Sequence, residues 1–272
     1  MPRDPVVAGR FYPAKERDLR ASIESVTPED QEREVVLGIL SPHAGYAFSG
    51  GVMGATFARV QMPQTVLLLN PSHSYASPAF ALWTGGNWRT PLGEVQMNQS
   101  LCSALSRMPG VTPDDRPHLP EHSAEVVLPF LQYHRPDVQL AVICVTASAS
   151  LADLKELGAA IPGALAACGE DDALIVTSSD MSHESGARAR EVVNRHDPLA
   201  IEQMERLDAD GLFRVCRQQG ITMCGVLPAV VMMAAVTARG GTGGELVARA
   251  TSADSPLGSG SYVVGYAGML FR

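Results

Sequence analysis

Three histidines stand where a buried strand gives way to a loop. His43 follows the apolar run at 35–40 within Pro42-His43-Ala44-Gly45-Tyr46. His73 follows the run at 65–69 within Asn70-Pro71-Ser72-His73-Ser74. His183 follows the run at 173–177 within Ser178-Ser179-Asp180-Met181-Ser182-His183. In open α/β sheets ligands gather beyond the carboxyl ends of the strands, so these are the positions where chemistry is expected. The chain has only seven histidines, and three of them just past strand ends is a concentration that scattered placement rarely gives. Neutral imidazole is a common metal ligand, coordinating through one nitrogen while an acceptor orients the other, so the pattern points to a metal centre. The competing reading is that each caps a loop or bonds core backbone.

Two further segments carry reactive groups. Pro120-Glu121-His122-Ser123-Ala124-Glu125 opens a helical pattern at 124–134, where Ser123 reads as an N-cap and Glu121 and Glu125 sit near the positive end of the helix. His122 could equally face a pocket. Met223-Cys224-Gly225 leads into the apolar helical pattern at 226–239, and amide dipoles at a helix start favour thiolate over thiol at Cys224. Cys102, Cys144, Cys168 and Cys216 fall on apolar faces and read as small core residues. Five cysteines without a CxxC argue for reduced thiols and a cytoplasmic setting. The sequence lacks GxSxG, a Walker A loop, a GxGxxG after a strand and HExxH. Gly50-Gly51-Val52-Met53-Gly54 reads as close helix packing rather than a phosphate cradle.

The elements that must hold these residues alternate. Strands are expected at 35–40, 65–69, 138–145, 173–177, 245–250 and 262–270, and several are too continuously apolar to have a wet face. Helices are expected at 16–25, 50–60, 99–107, 124–134, 151–168, 187–195, 198–207, 209–219 and 226–239. The alternation predicts a three-layer α/β sandwich, with a largely parallel or mixed central sheet and helices on both faces. The 272 residues are 46% hydrophobic and 18% charged, with no repeat or low-complexity linker, which favours one domain over 1–272. A net charge of −8 with scattered basic residues argues against a nucleic-acid face. No apolar run reaches the roughly 18 residues of a membrane span, and the amino-terminal stretch lacks the apolar core of a signal peptide.

Taken in order, the motifs resemble the Memo family, found in prokaryotes as the B protein of the AmmeMemoRadiSam group. The matching strings are AGRFYP at 8–13, PHAGY at 42–46, NPSH at 70–73, RTPLG at 89–93, EHSAE at 121–125, SSDMSH at 178–183 and MCG at 223–225. The resemblance implies a fold similar to the class III extradiol dioxygenases, which use non-haem Fe(II), and a metal pocket in the corresponding place. It implies His43, His73 and Cys224 as ligands of iron (Fe2+) or copper, with zinc a further option, and Asp180 and His183 lining the pocket. His122 is a candidate to join them. One departure stands at Ser74, where the family often carries a second histidine.

Exchanging a triad carboxylate for Cys224 thiolate softens the ligand set toward copper or zinc and exposes an oxidisable sulfur, so a dioxygenase reaction does not transfer directly. The first expectation is a redox enzyme acting on a small molecule, with His183 or His122 moving a proton and Asp180 orienting a histidine or water. The alternative is a non-catalytic module that binds metal or a peptide partner in the inherited pocket, and metal-assisted hydrolysis ranks third. Neither nucleic acid nor membrane is an expected partner.

Overall fold

The computed structural model describes residues 2–272. From the amino-terminal side the elements are α1 (Glu16–Val26), β1 (Gly38–Ser41), α2 (Tyr46–Ala58), β2 (Thr65–Pro71), β3 (Phe80–Leu82), β4 (Trp88–Thr90), β5 (Gly93–Met97), α3 (Gln99–Leu105) and β6 (Val111–Pro113). There follow α4 (Ser123–His134), β7 (Gln139–Val145), α5 (Leu151–Cys168), β8 (Leu174–Ser178), β9 (His183–Ser185), α6 (Ala189–Glu205), α7 (Ala209–Gln219), α8 (Val226–Ala238), β10 (Gly244–Thr251) and β11 (Tyr262–Phe271).

The sheet is mixed, in the order β10-β11-β1-β8-β2-β7-β3-β6. Its centre, β1, β8, β2 and β7, is parallel, while β11 runs antiparallel to β1 and β3 antiparallel to β7. Every residue of β1, β2 and β8 is buried, which is why these runs are apolar throughout instead of alternating. Helices α1, α2 and α4 pack together on one face, and α5, α7 and α8 on the other, where α6 and α3 join them. Gly265 and Gly268 show how tightly the layers close. Three apart on β11, they face opposite sides, and a Cβ would overlap Asp197 of α6 at the first and Thr56 of α2 at the second. Helix α8 is apolar all round because it lies between α5 and the sheet.

The three-layer α/β sandwich expected from the sequence is therefore the observed architecture, with differences in detail. The helices expected at 187–195 and 198–207 are one continuous α6 running through Pro198. Proline removes a helix hydrogen bond, but tertiary contacts hold the turn that precedes it here. Arg249 of β10 donates to Asn194 Oδ1 (3.2 Å), and buried Asp197 accepts the Ser182 N–H (3.1 Å). The first strand begins at Gly38, and Val35 lies outside it, 70% exposed. Strands β3, β4, β6 and β9 have three residues each, too few for a periodicity to register. Gly54 meets the backbone of Val26 at the end of α1, the close packing read from the glycine cluster.

Because β8 lies between β1 and β2, the carboxyl ends of these strands come together. Ser41 pairs with Ser178, and Leu69 with Thr177. The loops carrying His43, His73 and Asp180 thus leave the sheet side by side.

Candidate metal centre

His43 is 2% exposed, and its ring is held from behind: Nδ1 lies 2.7 Å from Ser178 Oγ, the last residue of β8. Its backbone N–H donates to Asp180 Oδ1 (2.8 Å). Burial, reinforced by the neighbouring His122 and His73, holds the imidazole well below its usual pKa and so keeps it neutral.

His73 is oriented by a carboxylate. Its Nδ1–H donates to Glu121 Oε1 (2.9 Å) and its backbone N–H to Oε2 (2.7 Å), which leaves Nε2 as the nitrogen with a free lone pair. Burial alone would raise Glu121, yet the His73 hydrogen bond and charge, with the N–H groups of His73 and Ser123, pull it below the usual carboxylate range. The same hydrogen bond raises His73. His122, the residue before α4, brings a third ring, 4.9 Å from His73 and 5.4 Å from His43 between centroids. Burial lowers its pKa. His43, His73 and His122 each offer a ligand atom, all within 4.8 Å of one another, and the three could hold a metal ion.

Cys224 stands beside this group without being part of it. Its Sγ is 3.4 Å from His43 Nε2 and accepts the Asp180 N–H at 3.3 Å. Gly225 N–H donates to Ser179 Oγ (2.9 Å), which fixes the turn into α8. The thiolate expected at this helix start is disfavoured in the metal-free chain: burial, then the Asp180 carboxylate, push the thiol well up. The helix-end dipole is outweighed. Asp180 is itself raised by burial, and its Oδ2 lies 4.0 Å from His43 Nε2.

His183 is more peripheral. Its Nδ1 donates to the Thr222 carbonyl (3.2 Å), so Nε2 carries the lone pair. It shares with His122 and Asp180 a cavity of about 430 Å³ whose walls include Phe11, Phe48, Tyr262, Val264 and Tyr266, with Arg10 also lining it. The wall carrying Phe11 is tied down by Glu125. This buried carboxylate accepts from Arg3 Nη1 (2.8 Å), Val6 N (2.8 Å), Val7 N (2.9 Å) and the Tyr12 hydroxyl (2.7 Å). Phe11 then packs edge-on to His122, 5.1 Å between centroids.

A family model described as Memo-like protein matches residues 3–270. The chain belongs to the Memo family. A MEMO1 family protein of Aquifex aeolicus is 38% identical over 271 residues, covering 99% of this chain and 98% of the relative. One from Methanopyrus kandleri is 37% identical over 287 residues, covering 100% and 99%. Among solved structures, an uncharacterized protein from Escherichia coli K12 aligns with a TM-score of 0.48 at 14% identity, over 86% of this chain and 98% of that one. For this Memo chain the sequence reading named His43, His73, His122, Asp180, His183 and Cys224, and all six lie around the carboxyl ends of β1, β2 and β8. It left Glu121 open between structure and function and did not single out Ser178. The signal available for Glu121 was its place directly before His122, on a loop reaching the same strand ends.

Proposed function

We propose that this Memo protein is a metal-dependent redox protein holding iron or copper at His43, His73 and Cys224, with His122 completing the set. The observation that carries the reading is that His43 and His73 are both hydrogen-bonded through Nδ1 to the protein, leaving Nε2 as the ligating nitrogen. Imidazole nitrogens and a sulfur favour a borderline or soft transition metal over magnesium or calcium. Such an ion supplies one-electron redox chemistry when bound. The chain's own residues bind and orient the second reactant. The cavity takes an oxidisable small molecule, His183 Nε2 accepts a proton from it, and Asp180 holds the His43 loop through two backbone N–H groups (2.8 and 3.3 Å). Cys224 requires a cation to become thiolate, since burial and Asp180 both oppose ionisation without one. All five cysteines are free, which fits a reducing, cytoplasmic setting.

The test is metal analysis of anaerobically purified protein, followed by spectroscopy of the bound ion. Thiolate-to-metal charge transfer lost in Cys224→Ser, and metal content lost in His43→Ala and His73→Ala, are the expected results. Full metal content in all three variants would overturn the reading. A second reading, a non-catalytic metal- or partner-binding module, draws support from Leu257 and Tyr262, which line the cavity while remaining 70% and 49% exposed. Tight metal binding without oxygen uptake across a panel of reductants and phenols favours it. Among the described residues no helix is long and apolar enough to cross a membrane.

A further inference from the structure

The groups behind His43 and His73 converge on one residue of α4. Ser123 N–H donates to Glu121 Oε1 (2.9 Å), the oxygen that accepts His73 Nδ1–H. Ser123 C=O accepts the Ser178 hydroxyl (2.6 Å), and Ser178 Oγ is the atom 2.7 Å from His43 Nδ1. A carboxylate only accepts, so Glu121 settles the His73 tautomer unaided. A hydroxyl both donates and accepts, so Ser178 settles nothing until its single proton is placed. The Ser123 carbonyl places it. Having no hydrogen, that carbonyl tolerates an oxygen at 2.6 Å only if Ser178 donates to it. Ser178 must then accept from His43.

We propose that Ser178 is a positioning residue: by committing its only proton to the Ser123 carbonyl, it locks His43 in the Nδ1–H tautomer and turns the Nε2 lone pair toward His73, His122 and Cys224. Its consequence for metal affinity rests on the metal-site reading above; the tautomer itself does not. Ser178 and Ser123 are fully buried, so water does not substitute for either partner. Without the hydroxyl, His43 is free to adopt the Nε2–H form, whose proton would point at Cys224 Sγ, 3.4 Å away, and would have to leave before a cation could bind.

The experiment is ¹⁵N NMR of imidazole-labelled, metal-free protein under conditions where His43 is neutral, paired with Co(II) titration followed by absorption. In the wild type, His43 Nδ1 is expected to give a protonated-type shift and Nε2 an unprotonated one. Ser178→Ala should shift this equilibrium toward Nε2–H and weaken Co(II) binding about 10–100-fold, as loss of a group supporting a metal ligand typically does. Ser178→Thr, which keeps the hydroxyl, should restore both. An Nε2–H signature for His43 in the wild type overturns the proposal without any variant, and so does Ser178→Ala that folds with tautomer and affinity unchanged. If Ser178→Ala fails to fold, the wild-type and Ser178→Thr spectra decide. Wild-type protein with the expected tautomer but no Co(II) binding upholds the lock and refutes the metal reading.

Discussion

Glu125→Ala should be among the most destabilising single changes available in this chain, although Glu125 touches none of the candidate metal ligands. Its carboxylate and the Arg3 guanidinium are 0% and 1% exposed, and Arg3 also lies 4.2 Å over the Trp88 ring and donates to the carbonyls of His118 and Glu121. Removing the carboxylate leaves a buried cation without its counter-ion, which typically costs about 3–5 kcal/mol. It also leaves the N–H groups of Val6 and Val7 and the Tyr12 hydroxyl without their acceptor. Each adds to the cost in the measure that it stays dry, and such losses within one network do not simply add, so the ion-pair figure sets the scale. At about 2–4 °C per kcal/mol for a domain approaching this size, the melting temperature should fall by roughly 6–20 °C. Urea denaturation followed by circular dichroism and tryptophan fluorescence measures the loss. The double variant Arg3→Met/Glu125→Ala should be more stable than Glu125→Ala, because it removes the stranded charge. A loss below about 1 kcal/mol, or a double variant less stable than Glu125→Ala, would refute the reasoning.

Other expectations follow from the same geometry. Glu121→Gln should weaken metal binding about 10–100-fold without abolishing it, as read by isothermal titration, because an amide can still accept from His73 Nδ1 but carries no charge; unchanged affinity would speak against the orienting role. In metal-free protein the raised His73 contributes stability below its unfolded value of about 6.5 and loses it as pH climbs through its folded value. The lowered Glu121 contributes above about 4.3 and loses it as pH drops through its folded value, so the gap in urea midpoint between wild type and Glu121→Gln should peak in the mildly acidic window between. A gap that does not vary with pH would count against the pair. Gly268→Ala should cost about 1–3 kcal/mol in chemical denaturation through overlap with Thr56, and Gly268→Ala/Thr56→Ala should recover part of it.

The sheet was legible because its central strands are parallel and covered on both faces, which leaves a continuous apolar signature followed by a polar loop. The histidines were legible for the same reason, since a strand end in such a sheet is a place with few alternatives. What stayed hidden depends on contacts across the fold. Glu121 and Glu125 are the same residue type four positions apart at one helix start, yet one orients His73 while the other anchors residues 3–12. Only the packing of α4 against two different loops separates them. The local dipole at Cys224 gave the wrong sign for its ionisation, because burial and Asp180 come from elsewhere in the chain. Pro198 looked like a helix boundary until Arg249 and Ser182, both outside the helix, were seen to hold Asn194 and Asp197 in the turn just before it.

The strand that delivers His43 has neighbours on both edges that come from far along the polypeptide: β8 begins at Leu174 and β11 at Tyr262. Pairings of such long sequence separation form late and slowly in folding. The imidazole cluster is therefore a product of the finished sheet and cannot serve as its seed, unlike a zinc finger, whose ion drives the collapse. Loading should follow folding, and any lesion along the seam of β1 with its two neighbours should surface first as an inability to retain a cation.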